Sequence, residues 1–189
     1  MSLPMPYPCG PRISLRDFTS ADIPAVREYT SDPEVTHWST WGPNTLDQTT
    51  SFVEDAARAH LNEDRTAYSL AAVLDGKTIG SVAVWTTDPH DGNGELGYTF
   101  HRDHWGNGYA TEAANQLLTF GFNTLQLERI SATCHPDNIG SIRVLEKSGF
   151  TLEGRLRSHR LVRGARRDSL FYSILRDEHA NPVAATTFQ

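Results

Sequence analysis

Three β-prone runs follow one another near the middle of the chain with only turn residues between them, and no other feature limits the fold as much. Residues 67–74 and 78–86 are separated by Asp75-Gly76-Lys77, where the glycine can take the positive φ of a tight hairpin. A third run, 95–100, follows with Asn93 or Gly94 supplying its turn. Strands joined this closely form an antiparallel meander. Next, Ala110, Ala113, Ala114, Leu117, Leu118, Gly121 and Phe122 fall on one broad face, which predicts a helix over 111–122.

The flanks complete a mixed pattern. Before the meander, 13–15 is a short strand. Ser20 is the expected N-cap of a helix carrying Ile23, Val26 and Tyr29 and ending near residue 30, with Pro24 tolerated in its first turn. Thr45 and Gln48 have capping-box spacing, and Leu46, Thr49, Phe52, Val53, Ala56 and Ala57 make one apolar stripe behind them. After the meander, 129–134 is a strand and Asn138 caps a helix with Ile142 and Leu145 inward. Gly149 is its left-handed C-terminal residue. Strands at 150–157 and 168–175 are joined through Arg163-Gly164-Ala165. The order β, α, α, β, β, β, α, β, α, β, β specifies a mixed α/β layer arrangement with crossover helices among the later strands.

At 189 residues the chain suits one domain, expected over 12–178, with an extended arm at 1–11 (Pro4, Pro6, Pro8, Pro11) and a tail at 179–189. No apolar run approaches the ~18 residues of a membrane helix, and residues 1–10 lack a charged head and an apolar h-region, so no membrane partner and a cytoplasmic location are expected. Cys9 and Cys134 make neither a disulfide framework nor a zinc site. The net charge of −6 does not suit a protein whose main partner is nucleic acid, and suits a cationic substrate.

Two glycine clusters invite a phosphate reading, and context separates them. Gly92-Asn93-Gly94-Glu95-Leu96-Gly97 matches a dinucleotide fingerprint, but it opens a strand rather than a helix, and no Asp or Glu lies between 113 and 127 to bind a ribose. It is a hairpin turn. Trp105-Gly106-Asn107-Gly108-Tyr109-Ala110-Thr111-Glu112 instead sits between a strand and an amphipathic helix, where free N–H groups and the helix dipole can hold an anion without a lysine. A purely structural two-glycine turn is the alternative. His101 and His104 lie in a turn with no further ligand motif, so no metal is expected. Arg155, Arg157, Arg160, Arg163, Arg166 and Arg167 form the one basic concentration; the readings are a solvated strand face, or contact with RNA or with a phosphate of a ligand.

Glu95 to Phe100, Trp105 to Ala113, and Asn138-Ile139-Gly140-Ser141 through Lys147-Ser148-Gly149-Phe150 stand in the order and spacing of the GNAT N-acetyltransferases. From about residue 12 to 178 the chain resembles that family, and within it the RimJ/RimL-like branch of ribosomal-protein N-terminal acetyltransferases. The resemblance implies an α/β (α+β) GNAT fold, with a central mixed and mostly antiparallel sheet splayed at an acetyl-CoA cleft and flanked by helices. It implies acetyl-CoA as co-substrate, its pyrophosphate on Gly106, Asn107, Gly108, Tyr109 and Ala110. The pantetheine arm would lie along Leu96, Gly97 and Tyr98, with Asn138 and Ser141 beside the CoA arm. Where the family's phosphate motif usually begins with Arg or Gln, this chain has Trp105. Where many relatives carry a general-acid Tyr, seven residues after the Asn, it has Leu145.

The chemistry expected is transfer of acetyl to a primary amine, either a protein N-terminus or a small molecule such as an antibiotic or polyamine. Because an amine is mostly protonated at neutral pH, a base is required, and Glu95 at the opening of the cleft strand is the candidate. Backbone N–H groups near Gly97 and Tyr98 would stabilise the oxyanion, and Ser141 is the candidate to protonate the thiolate. Trp38 and Trp41, in the loop where the family builds one acceptor wall, are candidate substrate contacts. The alternatives are a catalytically weak CoA-binding protein and a ribosome- or RNA-binding module using the arginine hairpin. Oligomeric state is left open, a homodimer included.

Overall fold

A computed structural model describes residues 7–62 and 64–180. Its seven-stranded sheet has the order β1-β2-β3-β4-β5-β7-β6, with β1 at Ile13–Asp17, β2 at Ala67–Leu74, β3 at Lys77–Asp88, β4 at Asn93–Phe100, β5 at Arg129–Cys134, β6 at Thr151–Val162 and β7 at Ala165–Leu175. All neighbours pair antiparallel except β4 with β5. Helices α1 (Ile23–Thr30) and α2 (Leu46–Ala59) are in the first half; α3 (Tyr109–Asn123) and α4 (Ile139–Lys147) are the crossovers, and a short α5 (Arg176–Ala180) ends the described chain. No helix among the described residues is long and apolar enough to cross a membrane.

Strand alternation divides the core between the two sheet faces. Leu70 and Ala72 of β2, Val82 and Val84 of β3 and Leu96 of β4 pack with Ala113, Leu117, Leu118, Phe120 and Phe122 of α3. Ala71 and Val73 point the other way, to Val26 and Tyr29 of α1 and Val53 and Ala56 of α2. Each fully buried Leu or Phe contributes about 1.5–3 kcal/mol, so α3, with four such residues at 1% exposure or less, is the main clamp on the meander.

Several local expectations need adjusting. Thr19, not Ser20, caps the first helical segment: Ser20–Asp22 is a 3-10 turn leading into α1, and Thr19 N–H and Oγ1 both donate to Asp22 Oδ2. Leu46 is 55% exposed and leaves the stripe of α2, which buries Thr49, Val53 and Ala56 behind a formed Thr45–Gln48 capping box. The last hairpin is longer than expected because a bulge between Leu156 and Arg160 lets pairing resume toward the Arg163-Gly164 turn. Residues 7–11 of the expected arm are docked. Tyr7 Oη donates to Asp17 Oδ2 (2.9 Å), its ring meets Phe120, and Cys9 bridges to Ser14. Residues 179 and 180 likewise belong to α5, His179 stacking near Phe122. Residues 1–6 of the arm, with Pro4 and Pro6, and 181–189 of the tail lie outside the described residues.

One polar knot ties the first strand to the meander. Asp22, 5% exposed, accepts both Nη atoms of Arg16 of β1 (2.7 Å each), the hydroxyl of Thr78 of β3 and Thr19 N–H. Burial alone would raise its pKa, but these donors hold it well below the usual carboxylate range. A group so depressed contributes stability that is present above its unfolded pKa and lost as pH falls through the folded one. Asp22→Asn is expected to cost about 2–3 kcal/mol, under the ~3–5 of a fully buried pair because Arg16 is 39% exposed, and to flatten the acid limb of stability. For the parent chain, a urea midpoint unchanged from pH 3 to 7 would contradict this.

Candidate active site

The site begins where two strands part. β4 and β5 pair over only three positions, Asn93 with Arg129, Gly94 with Ile130 and Glu95 with Ser131, while β4 stays paired to β3 as far as Phe100 and β5 to β7 as far as Cys134. From Leu96 onward the β4 edge facing β5 has no strand partner. The gap opens into a cleft of about 1190 Å³ bounded by β4, β5, the loop before α3, the start of α4, the α1–α2 loop and the last hairpin.

Alternation along β4 sends neighbouring side chains to opposite walls. Glu95 and Gly97 lie opposite Trp85 and Ala83 of β3. The Trp85 ring passes over Gly97, within 3.9 Å of where a Cβ would sit. Leu96 and Tyr98 face the other side, where Leu96 is core and Tyr98 reaches α4. Tyr98 Oη lies 2.9 Å from Ser141 Oγ and also donates to Ser141 O (3.2 Å). Burial raises the Tyr98 phenol above its ordinary range, Ser141 only partly offsetting it, so the phenol stays protonated. Burial likewise pushes the nearby Cys134 thiol up to about 11, and this cysteine is neutral near pH 7. Burial raises the pKa of Glu95, opposed by the positive charge of Arg160.

At the other end of the gap, Gly106 (φ +77°) and Gly108 (φ +81°) turn the chain into α3. Glu112 N–H is the first to bond back, to Gly108 O (3.0 Å); those of Asn107, Gly108, Tyr109, Ala110 and Thr111 have no partner among the described residues. A Cβ at Gly106 would meet nothing within 4 Å, so open space lies beside those donors. Trp105 Nε1 donates to Phe100 O (2.9 Å), tying this loop to the end of β4. The Asn107 side chain does not line the cleft: its amide donates to Trp105 O (3.0 Å) and its backbone carbonyl accepts Arg12 Nη1 (2.8 Å), while its N–H stays among the free ones. Arg12 is fixed by Glu112, whose carboxylate also accepts the N–H groups of Arg12 and Ile13. Asn138 caps α4, its Oδ1 accepting Ser141 N–H (3.1 Å).

The remaining wall is aromatic. Trp38 stacks on His135, just past the end of β5, with centroids 4.6 Å apart, and Trp41 is exposed at the rim. The last hairpin holds their loop: Arg163 Nη2 donates to Thr36 O (3.1 Å) and Gly42 O (2.9 Å), and Arg167 Nη1 to His37 O (3.2 Å). The structure therefore brings Glu95, Leu96, Gly97, Tyr98, Gly106, Gly108, Tyr109, Ala110, Asn138, Ser141, Trp38 and Trp41 to one cleft. Sequence reading missed Trp85 and His135, which meet it through register and packing, and Arg12 behind the loop before α3; Arg160, named only within the arginine concentration, lines the cleft as well, and only the alternation Ser81, Ala83, Trp85 on one face of a strand signalled any of the missed ones.

A splayed mixed sheet with an anion-ready loop at the open end defines an α/β protein built for an extended, phosphate-bearing ligand, and comparison with known proteins makes the class specific. A family model described as an acetyltransferase (GNAT) domain matches residues 12–151. The uncharacterized N-acetyltransferase p20 of Bacillus licheniformis is 32% identical over 170 residues, 89% of this chain and 96% of its own. A GNAT-family acetyltransferase structure from Bacillus anthracis superposes with a TM-score of 0.80 at 31% identity, covering 89% of this chain and 98% of that one. Mycobacterium smegmatis RimJ, solved with CoA-disulfide, gives a TM-score of 0.78 at 26% identity over 88% and 83% of the two chains. The chain belongs to the GNAT family of acetyl-CoA-dependent N-acetyltransferases.

If the last hairpin supports the aromatic wall, Arg163→Ala should leave the fold intact and accelerate amide hydrogen exchange over 36–42 at least about tenfold, since three carbonyls lose their donor. Exchange there unchanged would show that the loop holds itself.

Proposed function

We propose that the chain transfers the acetyl group of acetyl-CoA to a primary amine held against the tryptophan wall, with Glu95 as base and the Ser141–Tyr98 hydroxyl pair as acid. The observation that carries this reading is the alternation at the splay: it sets a carboxylate on one wall of the gap and a pair of hydroxyls on the other. The cofactor site fits. The free N–H groups at 107–111 and the start of α3 suit a diphosphate, the unpaired β4 edge from Leu96 suits an extended amide-bearing arm, and Arg143 and Lys147 on α4 offer cations to the remaining phosphate. When bound, acetyl-CoA supplies an activated acetyl thioester.

The chain's own groups then do three things. Glu95 first takes a proton from the acceptor ammonium; the neutral nitrogen then bonds to the acetyl carbon, the carbon–sulfur bond breaks, and the second proton lost by nitrogen passes through water to replace the one the hydroxyl pair gives to the thiolate. Burial raises the pKa of Glu95, which brings it nearer that of the amine. On the open edge of β4 at Gly97 and Tyr98, the one backbone N–H that points away from β3 would face the charge developing on the carbonyl oxygen. Ser141, backed by Tyr98, returns a proton to the thiolate, which with a conjugate-acid pKa of roughly 8.5 needs only modest help. The RimJ-like neighbour and the motifs favour the RimJ/RimL-like branch. Both cysteines are free, as a reducing cytoplasm would keep them. The RNA-binding alternative loses support, because Arg155, Arg163 and Arg167 are engaged within the chain.

Two substitutions test this. Gly108→Val places a β-branched residue at φ +81° in the cradle and should weaken CoA binding at least about a hundredfold by calorimetry, with a stability loss of only about 1–3 kcal/mol; unaltered affinity would remove the cradle. Glu95→Gln should lower kcat/KM about a hundredfold near pH 7, with the gap to the parent narrowing toward pH 10 as solvent deprotonates the amine. Parallel pH profiles for parent and variant would remove Glu95 as the base.

A further inference from the structure

Resting on the acetyltransferase reading, the charge of the cleft narrows the acceptor. The chain carries −6, which alone would favour a cationic partner, yet the fixed charges lining the cleft are Arg143, Lys147, Arg160 and Arg167 against Glu95 and Asp168. Arg143 and Lys147 stand on α4, beside the cofactor half. Arg160 and Arg167 stand on the acceptor half, and they are direct cross-strand partners in the β6–β7 ladder. Like charges opposed on a ladder repel, so this pair costs stability unless an anion joins it.

Of the chain's own anions only Glu95 lies near enough to feel the charge of Arg160, and among the described residues it forms no ion pair with either arginine. The carboxylate of Asp168 is taken by Arg155 Nε (2.7 Å) and Ser158 N–H (2.8 Å), on the far side of the bulge. Glu95, in the proposed mechanism, must face the amine. Arg167 spends one N–H on His37 O, and Arg160 has no hydrogen bond or ion pair among the described residues. Two guanidiniums therefore flank the acceptor space with donors to spare, in a planar geometry that matches the oxygens of a carboxylate or phosphate.

We propose that the acceptor is a small amine bearing an anionic group, which Arg160 and Arg167 bind while Glu95 receives the ammonium and Trp38, Trp41 and Trp85 cover the apolar remainder. A polyamine would set its second cation against the two arginines, and a protein N-terminus offers no fixed anion at that distance.

The test uses the full chain loaded with CoA and two matched pairs differing in one anion, phenylalanine with phenylalaninamide and phosphoethanolamine with ethanolamine, with spermidine as the cationic control. Initial rates, read as free thiol, are measured for each amine, and N-acetylphenylalanine and its amide are titrated by calorimetry. A preference of about tenfold or more for the charged member of either pair, in rate or affinity, is expected and identifies the anion as carboxylate or phosphate. Arg160→Met should erase that preference and Arg160→Lys restore part of it, with CoA affinity and melting temperature unchanged. Equal use of both members of both pairs, spermidine as the best substrate, or a preference that survives Arg160→Met would overturn the proposal. Failure of CoA itself to bind would instead overturn the acetyltransferase reading beneath it.

Discussion

The three-residue parallel register between β4 and β5 is the constraint from which the rest of the site follows. β4 must follow β3 and β5 must follow β7, and after Glu95 and Ser131 the two directions diverge. What holds the vertex is local and tight. Glu128 N–H donates to Gly92 O (2.8 Å) and Ser131 Oγ to Gly94 O (3.2 Å), while Gly94 packs so closely that a Cβ there would lie 2.5 Å from Leu127 Cδ1 and 3.0 Å from Trp85 O. A closed sheet would have satisfied its own backbone; an open one leaves N–H and C=O groups that need water or a ligand.

The gap persists because each side is wedged. On one face the first turn of α4 enters it, with Ser141 on the Tyr98 phenol and Asn138 capping the turn. On the other, Trp38 sits on His135 at the point where β5 ends, and the Arg163 and Arg167 contacts keep that loop from lifting. The same hairpin that buttresses the aromatic wall delivers Arg160 to the cleft, so scaffold and charge arrive together on one pair of strands. This is why the arginine concentration, which in sequence is equally compatible with a solvated face, reads differently once the register is known.

Local signals in the sequence were legible wherever one segment sufficed to determine the outcome. The meander, the Thr45–Gln48 capping box, the Asn138 cap and the left-handed Gly149 (φ +85°) all follow from neighbours within a few residues. So did the distinction between the two glycine clusters, since Gly92 (φ +65°) closes a hairpin and Gly108 opens a helix. Errors came where competition between adjacent residues or distant partners decided. Thr19 outcompetes Ser20 because Asp22 is recruited by Arg16 and Thr78, and Leu46 is exposed because it is the first residue of α2, most of a turn ahead of Thr49 where burial begins. His135 reaches the cleft, and Arg12 the back of the loop before α3, through contacts whose sequence separation no periodicity encodes.

The position where many family members carry a general-acid tyrosine shows how the same need can be met from another element. Leu145 is 1% exposed within the main core, so a hydroxyl is absent there and the helix gains a packed side chain instead. Ser141 stands one turn earlier on the same helix face. It meets Tyr98, a phenol that comes from β4 and points across the gap. A phenol kept protonated by burial and a serine hydroxyl in series form a short donor chain whose orientation is fixed by the Asn138 cap at one end and the β3–β4 ladder at the other. If this pair serves as the acid, as proposed, it needs position more than acidity because the thiolate is a good leaving group, and position is what strand alternation at the splay supplies.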